Sequence, residues 1–160
     1  MTSPPKNRGW LWYFLALAVL SAMGTTILVV YNLRQQMKAE HIHDAVALWK
    51  TRGPASYVLV YNEKAADLND HHVVKVKDGS AYEVLVNGLP LPSSQLPNYG
   101  MHRLLAKIQA SADLDAQPGN PKTYTRGLFD GRNGALGWYV RRVMGTRERI
   151  EIIVESLKIE

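Results

Sequence analysis

Residues 10–30, with the sequence WLWYFLALAVLSAMGTTILVV, contain neither a charged side chain nor a proline. A helix of about 20 residues is about 30 Å long, which matches the hydrocarbon core of a bilayer. The sequence therefore predicts a membrane-spanning helix over residues 10–31, which separates a short N-terminal tail over residues 1–9 from the rest of the chain. We expect the aromatic residues at its two ends to lie at the membrane interfaces as anchors: Trp10, Trp12, Tyr13 and Tyr31.

A cleaved signal peptide is the alternative for this segment, because Lys6 and Arg8 precede it and small residues such as Ser21 and Gly24 lie within it. The apolar regions of signal peptides are usually about 7 to 15 residues long, and this one continues through Val30. The length favours an uncleaved signal-anchor. The chain has no cysteine, so a lipoprotein anchor is excluded.

The charges beside the apolar segment are balanced, since Lys6 and Arg8 before it are matched by Arg34 and Lys38 after it. The N-terminal amine adds positive charge to the first side, and long domains translocate largely regardless of their charge. We therefore expect a single-pass protein of the bacterial inner membrane, with a cytoplasmic tail and an extracytoplasmic, periplasmic domain.

Two further helices are predicted after the membrane segment. Helical spacing of apolar residues continues until the breaker pair Gly53-Pro54, so we expect a juxtamembrane helix over residues 32–53. A stripe of apolar residues at helical spacing begins at Met101 and predicts a second amphipathic helix that stops before Pro118.

Six segments of residues 54–160 have the composition and alternation of strands. Apolar residues occupy both alternating sets of the first segment, so we expect both of its faces to be covered. Residues 89–100, LPLPSSQLPNYG, are expected to form a connector without regular structure, because proline interrupts them. The order helix, three strands, helix, three strands favours an α+β domain, in which an antiparallel sheet of about six strands packs two helices on one face. The strand segments are residues 56–63, 72–77, 81–87, 122–129, 136–144 and 147–159.

The sequence contains no recognisable catalytic or metal-binding pattern. His41 and His43 do not have the i, i+4 spacing of ligands on a helix, and His71 and His72 are neighbours whose side chains point to opposite faces of a strand. A G-x-S-x-G elbow and a glycine-rich phosphate loop are both absent. We therefore expect no enzyme activity, no cofactor and no metal.

The charge of the domain is concentrated in residues 122–149, where seven basic residues face only Asp130 and Glu148. Such an excess favours anionic lipid headgroups, an acidic protein partner or a nucleic acid. The alternative is a solvated strand face whose arginine stems cover apolar neighbours. Nucleic acid is disfavoured because no nucleic-acid-binding module accompanies the charge. The candidate partner-binding residues are Arg126, Arg141, Arg142, Arg147 and Arg149.

Several stretches resemble an uncharacterised bacterial family of single-pass membrane proteins and lipoproteins with a small α+β domain of unknown function. They are YNLRQQM (31–37), ALWKTRGPASYVLVY (47–61), NYGM (98–101), DAQPGNPKTYTRGLFD (115–130) and YVRRVMGTRERIEI (139–152). The resemblance implies an extracytoplasmic domain and carries over no catalytic residue. It also implies that the basic hairpin belongs to the family pattern, through Tyr124, Arg126, Phe129, Tyr139, Arg141, Arg142 and Arg147.

Two hypotheses for function follow. The first is a non-enzymatic, membrane-anchored accessory or binding domain, a small subunit of a larger membrane complex, which docks on a membrane-protein or acidic partner through the basic hairpin. It requires the arginines to share one exposed face. The alternative is a cell-envelope hydrolase or ligand-sensing domain with its site under the connector of residues 89–99. It requires a pocket that encloses at least two titratable groups.

Overall fold

The computed structural model describes residues 9–34 and 36–159, and the chain divides between Gln36 and Met37 into two compact units. The predicted cytoplasmic tail, residues 1–9, lies outside the described residues except for Gly9.

The first unit contains one apolar helix, α1 (Gly9–Arg34). Its segment Trp10–Tyr31 is long and apolar enough to cross a membrane, and none of its most apolar stretch is buried against protein. The hydroxyls of Thr25 and Thr26 donate hydrogen bonds to the carbonyls of Ser21 and Ala22, at 2.9 and 2.8 Å. These polar groups are therefore satisfied within the helix, as a lipid environment requires. The four predicted aromatic anchors are all exposed on α1.

The predicted juxtamembrane helix over residues 32–53 needs correction, because α1 ends at Arg34 and the next helix, α2 (Ala39–Arg52), begins five residues later. Between the two helices, the backbone N–H of Met37 donates to the carbonyl of Thr125 at 2.9 Å instead of to a helical carbonyl. The helix therefore does not continue through this point. α2 belongs to the second unit and buries Ile42, Ala45, Val46 and Trp49 in its core.

The second unit is an α+β domain with an antiparallel sheet and two helices, as the sequence predicts. Its seven strands lie in the order β4-β3-β2-β1-β7-β6-β5, so the last strand of the chain pairs with the first at the centre of the sheet. The strands are β1 (Tyr57–Ala65), β2 (Leu68–Lys77), β3 (Ser80–Val86), β4 (Leu89–Pro90), β5 (Thr123–Phe129), β6 (Leu136–Val143) and β7 (Arg149–Ile159).

The seventh strand is the short β4, which lies inside the connector that was expected to contain no regular element. Leu89 and Pro90 pair with Val86 and Leu85 at the edge of the sheet. Proline is tolerated at such an edge, where its missing N–H breaks no interior ladder. The connector then forms a short 3-10 helix (Leu96–Asn98) before α3 (Met101–Asp115).

Both α2 and α3 contribute to the core on one face of the sheet, which we call the covered face. Tyr57, Leu59 and Tyr61 of β1 point into this core. Neither α2 nor α3 covers the opposite, open face of the sheet, and Val58 and Val60 are half-buried there. The prediction that both faces of β1 are covered therefore holds for one face only.

Two tight turns connect β2 to β3 and β3 to β4. Asp78 and Gly79 both have positive φ, at 50° and 78°, and Asn87 and Gly88 have φ of 52° and 80°. This pair of left-handed residues is typical of the hairpin turns that Asp-Gly and Asn-Gly favour. The loop between β5 and β6 approaches α2 closely, because a Cβ on Gly134 would lie 2.2 Å from the carbonyl oxygen of Ala45.

Candidate functional site

A cleft of about 410 Å³ opens between the β1–β2 hairpin, the connector and α3. Its floor consists of two cross-strand pairs, Tyr61 with His72 and Glu63 with Asp70. Residues two apart in a strand share a face, so all four side chains lie on the covered face. The connector contributes Gln95, Asn98 and Tyr99, and α3 contributes Arg103, Leu104 and Lys107.

His72 is the most unusual residue of the cleft, since it is only 5% exposed. Its ring stacks on Tyr61 with 4.4 Å between ring centroids, and it lies 5.8 Å from Tyr99 in a tilted arrangement. Its Nδ1 has no hydrogen-bond partner among the described residues. A buried polar atom without a partner costs about 1–3 kcal/mol, so the chain keeps a destabilising group in the wall of a cleft.

Burial keeps the imidazole of His72 neutral. It lowers the pKa of His72 below the usual 6.5, and the nearby carboxylates of Glu63 and Asp70 oppose this effect without reversing it. Burial also raises the pKa of Tyr61, and the charge of Glu63 raises it further, so the Tyr61 hydroxyl stays protonated. A neutral imidazole has one nitrogen that donates and one that accepts a hydrogen bond.

The charged groups of the cleft are partly paired with one another. Glu63 and Lys107 form an ion pair that joins β1 to α3. Asp70 accepts a hydrogen bond from the side-chain amide of Asn87 at 2.8 Å. Arg103 donates from Nε to the carbonyl oxygen of Pro97 at 3.0 Å, which ties α3 to the connector.

The position of α3 over the cleft depends on a contact from the sheet. Tyr57 accepts, at its hydroxyl oxygen, a hydrogen bond of 2.9 Å from the backbone N–H of Met101, the first residue of the helix. Burial raises the pKa of Tyr57. Gly100, with φ of 110°, turns the chain into the helix and lines the cleft. This arrangement fixes the first turn of α3 beside His72.

Two other histidines, His43 and His71, contact polar side chains outside the cleft. His43 of α2 contacts Asp113 at 2.8 Å and Gln109 at 3.0 Å, both on α3, so it links the two helices. His71 lies 3.6 Å from Glu155 on the open face, opposite to His72. Among the described residues, no three side chains of His, Asp or Glu are close enough together to hold a metal ion.

The five candidate partner-binding arginines do not share one face. Arg141 is 8% exposed on the covered face, where it contacts Asp115 through two hydrogen bonds of 2.8 and 2.7 Å and Glu148 through one of 2.8 Å. The hydrogen bonds to Asp115 raise the pKa of Arg141. Arg149 pairs with the neighbouring Glu151 at 2.8 Å.

The remaining three arginines lie on β5, on β6 and in the turn before β7. Arg126 is half-buried, and its strand partner is Val140. Arg142 follows Arg141 on β6, so its exposed side chain points to the open face. Arg147 is exposed in the turn before β7. The structure therefore separates the basic residues of the hairpin into a buried ion-pair network and a few exposed side chains.

The residues of the cleft were not predicted from the sequence, because no local pattern identifies His72, Glu63 and Asp70 as parts of one site. A signal for His72 was present. It occupies the same alternating set as Val74 and Val76, which are fully buried, so the register already assigned it to the core. The cleft does lie beside the connector that the alternative hypothesis named, and it contains more than two titratable groups.

Comparison of the chain with protein families, curated proteins and solved structures gives no match. The resemblance to an uncharacterised bacterial family therefore stays a prediction.

Proposed function

We propose that this chain is a membrane-anchored, non-enzymatic binding domain that holds a small polar molecule in the cleft between the β1–β2 hairpin, the connector and α3. One observation carries the proposal. The ring of His72 is buried in the wall of the cleft, and its Nδ1 has no partner among the described residues.

The physical argument concerns the missing hydrogen bond. Buried polar groups in folded proteins almost always have a partner, and each exception calls for an explanation. Nδ1 itself is closed off from solvent, so a bound molecule supplies the missing partner, and recovers the cost of burial, when the ring or the side chains packed over it move to expose this atom. The volume of about 410 Å³ falls within the range of about 300–1,000 Å³ that is usual for small-molecule sites.

The surroundings of the carboxylates favour binding over catalysis. Glu63 is neutralised by Lys107, and Asp70 is held by the amide of Asn87. The described lining of the cleft includes no serine, threonine or cysteine, so it offers no hydroxyl or thiol nucleophile of the usual kind.

The apolar helix α1 bears on where this binding domain is located. We propose that α1 is a signal-anchor in a bacterial inner membrane and that the domain is extracytoplasmic. Confinement at a membrane raises the effective concentration of partners there. Docking on an acidic membrane-protein partner stays a prediction. Its support is reduced, since Arg141 and Arg149 are paired with acids, and it now rests on the exposed Arg142 and Arg147.

The test uses the full chain in detergent micelles with ¹³C-labelled histidine. The ring Cε1–H signal of His72, assigned with the variant His72→Phe, is followed by NMR during titration with defined amino acids, dipeptides, sugars, nucleosides and dicarboxylates. We expect at least one compound to shift this signal and to raise the unfolding temperature. At a hundredfold excess over its Kd, a ligand stabilises a folded protein by about 2.7 kcal/mol.

The control variant is His41→Gln, which changes an exposed histidine of α2 outside the cleft. It should keep the full thermal response, whereas His72→Phe should lose it. If no compound in the set shifts the His72 signal, or if the thermal response persists in His72→Phe, the proposal is refuted.

A further inference from the structure

The charges of the cleft indicate the class of molecule it binds, an inference that rests on the proposed function. Four charged side chains line the cleft, two acidic and two basic. Glu63 and Lys107 neutralise each other. Among the described residues, Asp70 and Arg103 take part in no ion pair, and their hydrogen-bond partners are a neutral amide and a neutral carbonyl.

These two charges lie on different walls of the cleft. Asp70 belongs to the floor, on β2, two residues from His72 and on the same face. Arg103 belongs to the first turn of α3, whose backbone N–H groups add positive potential at that wall. The floor of the cleft therefore carries a negative charge outside any ion pair, and its α3 side carries a positive one.

A ligand that fills the cleft removes part of the water around both charges, more from the half-buried Asp70 than from the exposed Arg103. Charge that loses its water without gaining a counter-charge is strongly disfavoured. A neutral polyol compensates neither group fully, and a simple anion or cation compensates one and leaves the other. A molecule that carries both an ammonium and a carboxylate group compensates both.

We infer that the cleft binds a small zwitterion of the size of a free amino acid or a dipeptide. Its ammonium group pairs with Asp70, and its carboxylate pairs with Arg103 at the start of α3. His72 supplies a neutral hydrogen-bonding nitrogen beside them. The apolar groups of Leu68, Tyr99 and Leu104 accommodate an apolar side chain.

The experiment removes the charges of the ligand one at a time. The probes are L-leucine and L-alanyl-L-leucine, their N-acetyl forms, which lack the ammonium group, and their C-terminal amides, which lack the carboxylate. Maltose is the neutral polyol. Binding to the full chain in micelles is followed by the His72 ring signal. We expect at least one parent zwitterion to bind, and each blocked form to bind at least tenfold more weakly.

Two variants link each preference to its residue. Asp70→Asn should reduce the preference for a free ammonium group to less than threefold, and Arg103→Gln should do the same for the carboxylate. Asp44→Asn and Arg142→Gln, both exposed and outside the cleft, should keep both preferences. Because blocking the ligand needs no change in the protein, the comparison stands even where a variant folds poorly.

The possible outcomes separate the two proposals. If both parent zwitterions leave the His72 signal unchanged while maltose or another compound shifts it, the zwitterion class is overturned and the binding cleft stands. Blocked forms that bind within threefold of the parents also overturn the class. If no compound shifts the signal, both proposals are overturned.

Discussion

Replacing Arg141 by methionine removes the cation from a buried ion-pair network while keeping an apolar stem of similar length. Asp115, whose side chain is 12% exposed, would then retain a carboxylate without its counter-charge. Asp115 is also the last residue of α3, where the helix dipole already disfavours a negative charge. The change is therefore expected to act mainly through Asp115.

The expected loss is about 3–5 kcal/mol of the free energy of unfolding, which is typical when one partner of a buried pair is removed. The second partner, Glu148, has a side chain that is 59% exposed, so the loss of its ion pair should contribute at most about 1 kcal/mol to this decrease. Domains of this size are usually stable by about 5–15 kcal/mol. Arg141→Met should therefore remove a large fraction of the total.

The assay is urea unfolding of the full chain in detergent micelles, followed by tryptophan fluorescence, in which the domain contributes Trp49 and Trp138. Arg142→Met, the neighbouring exposed change, is the matched control and should lie within about 0.5 kcal/mol of the parent. Adding Asp115→Leu to Arg141→Met should recover at least half of the loss, since no buried charge is left unpaired. A loss below about 1 kcal/mol for Arg141→Met would show that Asp115 does not depend on this arginine, and it would make Arg141 available again as a binding residue.

Three further changes test the structure. Gly134→Ala combines a φ of 75° with a backbone clash, so it should lower the free energy of unfolding by at least about 3 kcal/mol. Gly145→Ala, with φ of 78° in open space, is the control and should cost about 1–2 kcal/mol. Equal losses for the two variants in thermal unfolding would contradict the close approach of Gly134 to α2. Tyr57→Phe leaves the N–H of Met101 buried without an acceptor, so it should cost about 1–3 kcal/mol and speed hydrogen exchange at that amide, and an unchanged exchange rate would contradict the contact. The lowered pKa of His72 means that its imidazole binds a proton more readily in the unfolded chain, so the free energy of unfolding should fall as the pH drops below about 6.5. In urea titrations at different pH, His72→Phe should show a smaller dependence of this free energy on pH. An identical dependence in the variant would show that another group is responsible.

Local sequence patterns predicted the elements of the domain well because they report on each segment alone. The apolar stripe that begins at Met101 matches α3, and the predicted strand segments 72–77 and 81–87 match β2 and β3, which the Asp78-Gly79 turn connects. Sheet order depends instead on contacts between distant segments. The placement of β7 between β1 and β6 has no local signature.

The candidate site was harder to predict for the same reason. The run of arginines indicated a basic hairpin, but Asp115 comes from another element, and its contact with Arg141 exists only after folding. His72 was easier to predict, since it alternates with Val74 and Val76 and therefore points into the core. Its missing hydrogen bond, however, follows from the packing of the connector and α3 around it.

We propose that the chain retains His72 for binding at a cost in stability. The most direct test is the free energy of unfolding of His72→Phe against the parent chain, both extensively dialysed and in the same micelles. Phenylalanine keeps an aromatic ring beside Tyr61 and removes the nitrogen without a partner, so we predict equal stability or a gain of up to about 2 kcal/mol. A loss of about 2 kcal/mol or more would show that the ring nitrogens stabilise the fold, so that His72 is retained for stability and not for binding.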